Sequence, residues 1–149
     1  MTSFHHSRRW GQHFLIDKVV RDIIISEAEL EKKDTVVEMG VGEGILTEIL
    51  LQKAGRVIGC EIDEQLYRTV QEKLKNYSNL ILYQEDFLSA DLLSLLSSFS
   101  PLKLVSNIPY AISSPFFSKI LEFNIKWDLL ILMVQREFGE KILQEKGSP

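Results

Sequence analysis

The chain has 149 residues, of which 45% are apolar and 26% are charged, and its formal net charge is −4. This length corresponds to about one globular domain with a continuous core. No apolar run approaches the ~20 residues of a membrane-spanning helix, and the single cysteine, Cys60, excludes an intrachain disulfide. A reducing cytoplasm is therefore the expected location. The negative charge argues against a general nucleic-acid binder, whose surface concentrates Lys and Arg.

The first 30 residues combine a basic cluster with a helical pattern. His-His-Ser-Arg-Arg at positions 5–9 precedes Trp10, and Lys18 to Leu30 has the spacing of a helix. We expect residues 1–30 to belong to the folded protein, with the helix over the edge of the ligand site as a lid. A transit peptide has a similar composition, and a solvated terminus explains the basic cluster equally well.

Short apolar runs alternate with amphipathic stretches along the rest of the chain. Their periodicities predict strands and helices in turn. The predicted strands are Thr35–Gly40, Val57–Asp63, Leu80–Tyr83, Leu102–Ser106 and Leu129–Val134. The predicted helices are Ile45–Ala54, Glu64–Asn76, Ala90–Ser98, Pro115–Glu122 (capped by Ser113 or Ser114) and Arg136–Lys146. This alternation predicts an α/β fold with one parallel sheet and helices on both faces. No repeat or linker divides residues 1–149, so we expect a single domain.

A glycine-rich turn follows the first predicted strand. In an open α/β sheet, ligands bind outside the carboxyl ends of the strands. Gly40, Gly42 and Gly44 have the spacing G-x-G-x-G, whereas the dinucleotide fingerprint is G-x-G-x-x-G. Such a turn lets the backbone approach a ligand closely. Glu43 within it disfavours a pyrophosphate and favours a ligand with a positive sulfonium and an amine.

Two acids end the next two strands. Glu61 lies 21 residues after Gly40, close to the ~20 expected for a carboxylate that binds a ribose diol. Asp86 is placed to accept from the N6 amine of an adenine, with Phe87 as an apolar wall. The alternatives are a solvated strand-end acid for Glu61 and a helix cap for Asp86.

The fourth strand ends in Asn107-Ile108-Pro109-Tyr110. This stretch places a side-chain amide, a proline-stiffened turn and an aromatic ring at a strand end, which suits a flat molecule with an exocyclic amine. We expect no metal site, because the histidines His5, His6 and His13 are all N-terminal. We also find no nucleophilic triad, because the serine-rich stretches have no nearby histidine.

Together these segments resemble class I methyltransferases that use S-adenosylmethionine. More narrowly, the chain resembles the ribosomal RNA adenine N6,N6-dimethyltransferases, which modify two adjacent adenines of small-subunit ribosomal RNA. The matching segments, in family order, are Gly11–Leu15, Glu38–Gly44, Glu61–Asp63, Glu85–Phe87, Asn107–Tyr110 and Gln135–Phe138. The sequence departs from the family pattern at His13, where Asn is frequent, and at Val41, where Pro is frequent.

The resemblance implies S-adenosylmethionine as the cofactor and a role for each matching residue. The implied cofactor-binding residues are His13, Leu15, Gly40, Gly42, Glu61, Ile62, Asp86, Phe87 and Asn107. The implied catalytic residues are Asn107, Ile108, Pro109 and Tyr110. In the family, Asn107 and the Ile108 carbonyl hold the target N6 amine, and Tyr110 stacks on the flipped adenine.

The resemblance also sets expectations about partners and about the extent of the chain. Family members continue with an antiparallel hairpin and a small helical domain, so we expect a truncated methyltransferase domain with one unpaired sheet edge. The implied partner is small-subunit ribosomal RNA or its particle, without a membrane. Self-association through the unpaired edge is a hypothesis.

Three alternative functions remain open from the sequence. One is a cofactor-binding fragment without activity. Another is a large-subunit ribosomal RNA or DNA adenine N6-methyltransferase. The third is a nicotinamide-dependent oxidoreductase, against which the glycine spacing argues.

Overall fold

A parallel sheet with strand order β3-β2-β1-β4-β5 organises the protein. The computed structural model describes residues 17–87, 96–122 and 125–144. The strands are β1 Thr35–Met39, β2 Arg56–Cys60, β3 Leu80–Tyr83, β4 Leu102–Asn107 and β5 Leu129–Met133. The helices are α1 Lys18–Glu27, α2 Ile45–Lys53, α3 Glu64–Lys73, α4 Ser113–Glu122 and α5 Arg136–Gln144, with a 3-10 turn at Tyr110–Ile112. Each neighbouring pair of strands is parallel, which confirms the predicted α/β sheet.

Two apolar layers cover the two faces of this sheet. Alternate side chains of β1 enter different layers, Val36 on one face and Val37 on the other. The first layer includes Ile24, Ile25, Leu46, Leu50, Val57, Val70, Leu74 and Val105 from α1, α2, α3 and neighbouring strands. The second includes Ile58, Leu104, Phe116 and Ile120, the last two from α4. Burial is complete along β1 but falls towards the edge, where Leu130 of β5 is 40% exposed.

The first helix packs against the first layer. Ile24 and Ile25 are buried there, and the side chain of Asp17 caps the helix by accepting from the amide of Val19 at 2.8 Å. Behind the helix, the ammonium of Lys103 donates to the carbonyl oxygens of Ala28 and Glu29 at 3.0 and 2.8 Å. These contacts hold the C-terminal end of α1 beside β4. Its role as a lid stays a prediction.

The fourth helix begins two residues earlier than predicted. The 3-10 turn runs directly into α4, so Ser113 and Ser114 lie inside the helix, and their predicted role as caps is wrong. The hydroxyl of Ser113 donates to the Pro109 carbonyl at 3.4 Å instead.

The second strand is also shorter than predicted. It ends at Cys60, and the side chain of Asp63 caps α3.

Some predictions fall on residues outside the described ranges. These are the segment up to residue 16, most of the predicted helix Ala90–Ser98, and the last residues of the predicted helix Arg136–Lys146. Within residues 17–87, 96–122 and 125–144, no helix has the length and apolar character needed to cross a bilayer.

A tight turn between α2 and β2 depends on Gly55. A β-carbon at this position would lie 2.0 Å from the backbone carbonyl oxygen of Lys32. The segment that contains Lys32 cannot move away easily, because the backbone carbonyl of Asp34 accepts from the amides of Gly55 and Arg56 at 3.1 and 3.2 Å.

We therefore expect Gly55→Ala to lower the free energy of unfolding by about 3 kcal/mol or more, at the upper end of the cost of overpacking. Urea denaturation followed by circular dichroism measures the loss. Gly139→Ala is the matched control, because its added β-carbon would approach only Val134, at 3.6 Å. Equal stability of the two variants would contradict this account of the turn.

Candidate functional site

A cleft opens at the carboxyl end of the sheet. It is lined by Met39, Gly40, Cys60, Glu61, Ile62, Glu85, Asp86, Phe87, Ile108, Pro109, Ile112 and Phe116. The structure thus brings seven of the predicted site residues to one space: Gly40, Glu61, Ile62, Asp86, Phe87, Ile108 and Pro109. Gly42, Asn107 and Tyr110 lie beside its wall rather than on it, and His13 and Leu15 lie outside the described residues.

The cleft opens where β1 and β4 separate. Their ladder pairs Thr35 to Val37 with Leu102 to Leu104 and goes no further. Beyond that point the hydroxyl of Ser106 accepts from the amide of Met39 at 3.1 Å and donates to its carbonyl at 2.5 Å. A buried side chain therefore replaces the missing ladder bonds while the strand ends separate. Sequence reasoning missed Ser106, because a serine in an apolar strand carries no distinctive signal.

The glycine turn has a backbone that only glycine adopts readily. Gly40, Gly42 and Gly44 have φ of 73°, 57° and 74°, in the left-handed region. The amide of Gly40 donates to the Cys60 carbonyl at 2.8 Å, which holds the turn against the end of β2. A β-carbon on Gly40 would lie 3.8 Å from Pro109, an ordinary contact. Backbone conformation, rather than lack of space, is thus the reason for glycine at this position.

Glu61 joins the second strand to the middle of this turn. Its side chain is buried, and its two oxygens accept from the amides of Gly42 and Asp63, each at 2.9 Å. Burial raises the pKa of Glu61, and the hydrogen bonds from Asp63 and Gly42 oppose that rise. The carboxylate therefore ties the middle of the glycine turn to the end of β2.

Glu38 is a second buried acid behind the cleft. Burial, above all, raises its pKa to about 8; the nearby Thr47 hydroxyl opposes this rise and the charge of Glu61 adds to it. The hydroxyl forms no well-aligned hydrogen bond with the carboxyl group. Sequence reasoning gave Glu38 no separate role. The available signal was an acid within the otherwise buried strand Thr35–Met39.

The opposite wall is apolar. The rings of Phe87 and Phe116 lie 5.1 Å apart at 41°, and Phe116 belongs to α4, which begins after the Asn107–Tyr110 segment. Phe116 and Ile112 were missed as site residues, because helical spacing alone predicts only core packing for them.

Cys60 also lines the cleft. Its pKa rises to about 12, through burial first and then the charges of Glu85 and Glu61, so it is a poor nucleophile at neutral pH.

The segment Asn107–Tyr110 turns sharply at the end of β4. Asn107 is the last strand residue and pairs in register with Met133, and the amide of Ile108 donates to the Met133 carbonyl at 3.0 Å. Ile108 and Pro109 face the cleft, while Tyr110 starts the 3-10 turn and is 37% exposed. Tyr110 therefore follows the cleft-lining residues in the chain without lining the cleft itself. The described part of the chain contains no cluster of three or more metal-ligating side chains.

Comparison with known proteins identifies the family. The family model for ribosomal RNA adenine dimethylase matches residues 3–149. The chain belongs to this family. This confirms the resemblance drawn from the six motifs, and the parallel sheet has the Rossmann-like arrangement of class I methyltransferases.

Sequence relatives carry the name ribosomal RNA small subunit methyltransferase A. One from Clostridium acetobutylicum is 38% identical over 140 residues, which are 94% of this chain and 51% of that protein. Another from Dehalococcoides mccartyi is 41% identical over 137 residues, 92% of this chain and 47% of that protein. The chain therefore spans about half the length of the curated relatives it matches.

Two solved structures of methyltransferases are similar to this chain over most of its length. The 23S rRNA methyltransferase ErmE superposes with a TM-score of 0.75 at 32% identity, over 91% of this chain and 53% of that one. A dimethyladenosine transferase from Plasmodium falciparum also has a TM-score of 0.75, at 33% identity, over 88% of this chain and 46% of that one.

The raised pKa of Glu38 predicts how stability depends on pH. The carboxyl has a reference pKa of 4.5 and a folded-state pKa of about 8. Between these two pH values, the folded protein holds a proton on Glu38 that the unfolded chain has lost. This contribution is present at low pH, and it is lost as pH rises towards 8, at up to ~1.4 kcal/mol per pH unit. We expect the free energy of unfolding, measured in urea from pH 5 to 9, to fall less steeply with increasing pH in Glu38→Gln than in the unaltered protein. Parallel curves for the two proteins would contradict the assignment, because Glu61 titrates in both.

Proposed function

We propose that this chain is the cofactor-binding, methyl-transferring part of an enzyme that dimethylates N6 of two adjacent adenines in small-subunit ribosomal RNA. One observation carries the proposal. The glycine turn, Glu61 and Asp86 border the same cleft as Ile108 and Pro109, so a cofactor and an acceptor base can meet there. The family and the names of the relatives supply the reaction class.

The residues of the cleft fit S-adenosylmethionine as the cofactor. Glu61 suits the ribose diol, Asp86 can accept from the adenine amine, and Ile62 and Phe87 provide apolar walls for the ring. Gly40 and Gly42 allow the ligand to approach the backbone. His13 and Leu15 would complete the pocket from the N-terminal segment. The acids Glu43 and Glu85 suit a ligand that carries a sulfonium and an ammonium group.

The acceptor side would hold and aim the target amine. The cofactor supplies an electrophilic methyl group when bound. Asn107 and the Ile108 carbonyl would accept hydrogen bonds from N6, which draws its lone pair out of conjugation and orients it, while Pro109 stiffens the turn. No strong base is needed, because the proton leaves after the amine has become cationic. Positioning and electrostatics would therefore supply most of the rate enhancement.

The proposed partner is small-subunit ribosomal RNA or its assembling particle, in the cytoplasm. Association of two chains through the edge strand β5 is a further hypothesis for this protein. Light scattering at high concentration tests it, and a monomeric mass would count against it.

Large-subunit ribosomal RNA is the second candidate substrate, favoured by the likeness to a 23S rRNA methyltransferase at 32% identity. Methylation assays on purified small-subunit and large-subunit particles separate the two. Cofactor binding without methylation of either would support a binding fragment that lacks activity.

Tyr110 is proposed to stack on the flipped adenine. Base–aromatic stacking contributes ~1–3 kcal/mol, so Tyr110→Ala should lower methyl incorporation into small-subunit particles about 10- to 100-fold. The Kd for S-adenosylmethionine, measured by calorimetry, should stay within about two-fold. Tyr110→Phe keeps the ring and should retain most of the activity. A parallel loss of turnover and cofactor affinity in Tyr110→Ala would refute this role.

Glu61 is proposed to bind the ribose and to hold the turn at once. In Glu61→Gln one acceptor oxygen becomes a donor and faces an amide of Gly42 or Asp63. Hydrogen bonds to charged groups contribute ~1.5–3 kcal/mol, so the Kd for S-adenosylmethionine should rise about 10- to 100-fold. The control is Glu64→Gln, an exposed acid that pairs with Arg68 on α3. Unchanged affinity in Glu61→Gln would remove Glu61 from the site.

A further inference from the structure

Two buried polar groups under the glycine turn have no role in the site described so far. Glu38 is 2% exposed and Thr47 is 0% exposed. Across the described ranges, neither Glu38 Oε2 nor Thr47 Oγ1 has a hydrogen-bond partner. Buried polar atoms in folded proteins nearly always have a partner. Two adjacent exceptions behind one cleft therefore require an explanation.

Their positions in the fold provide one. Glu38 is the last residue but one of β1, and Thr47 is the third residue of α2. The turn Gly40–Gly44 is the connection between these two elements. A link between the two side chains would therefore close the base of the turn, whose middle is held separately by the bond from the Gly42 amide to Glu61.

We propose that Glu38 and Thr47 are positioning residues for the glycine turn, and that a hydrogen bond between carboxyl and hydroxyl closes its base. The closed base holds Gly40–Gly44 in the shape that accepts the ligand of the cleft. The identity of that ligand as S-adenosylmethionine rests on the proposed function. The pairing itself rests on burial and on the position of the two side chains.

The link depends on the Thr47 hydroxyl rather than on the proton of Glu38. Burial raises the pKa of this carboxyl to about 8, and the Thr47 hydroxyl opposes the rise, as a donor to the carboxylate does. Thr47 faces the carboxyl from α2 and Glu61 from the end of β2, whereas the neighbouring layer from α1 and α3 is apolar, through Ile24, Ile25, Val70 and Leu74. The hydroxyl can donate to Glu38 in either protonation state. Removal of the hydroxyl should therefore weaken both the turn and its affinity for the cofactor.

Calorimetry with S-adenosylmethionine at pH 7 tests the pair. Thr47→Val should weaken binding about ten-fold, and Thr47→Ser, which keeps the hydroxyl, should restore most of it. A Thr47→Val variant that binds normally would overturn the proposal.

A measurement without ligand separates this proposal from the proposed function. At pH 7, amide hydrogen exchange at Gly42 and Gly44 should be faster in Thr47→Val than in Thr47→Ser, because the base of the turn loses its link. If the unaltered protein binds no S-adenosylmethionine at any pH, the proposed function fails, and the exchange rates alone decide the role of the pair. Equal rates in the two variants would refute it.

Discussion

The separation of β1 from β4 is the constraint on which the functional end of the molecule depends. The connection after β1 leads to α2 in one layer, whereas the segment after β4 leads to α4 in the other. The strand order reverses here, and a crevice opens at such a point in α/β sheets. Where two strands separate, their backbone amides and carbonyls lose their ladder hydrogen bonds, and an unpaired buried backbone group is destabilising. The Ser106 hydroxyl satisfies Met39 instead, because it accepts from the Met39 amide and donates to the Met39 carbonyl.

The acids behind the cleft show two ways in which a folded protein tolerates a buried carboxyl group. Glu61 receives two backbone hydrogen bonds, which favour its ionised form against the effect of burial. At Glu38, burial raises the pKa to about 8, the Thr47 hydroxyl opposes the rise, and the charge of Glu61 adds to it. Backbone amides are thus the main opposition to burial at Glu61, whereas a side-chain hydroxyl has that part at Glu38.

Exposure of apolar side chains rises from the central strand to the edge of the sheet. Burial is complete on β1 and partial on β5, and Leu121 of α4 and Leu143 of α5 are also exposed. The relatives are about twice as long as this chain. For this reason the activity, the RNA partner and the cellular location are proposals for the whole protein, whereas family membership and the fold are established for the chain.

Local patterns in the sequence determined much of this structure. Strand-like runs of four to seven residues located the strands, and the glycine spacing with Glu61 indicated the edge of the sheet at which the cleft opens, because strand alternation, helical periodicity and positive φ depend on neighbouring residues. Only the tertiary structure decided that Phe116 and Ile112 share a wall with Phe87, that Ser113 lies inside a helix, and that Ser106 bridges β1. It also decided the protonation of Glu38. Strand order, burial and charge proximity arise from residues far apart in the chain, and no local periodicity records them.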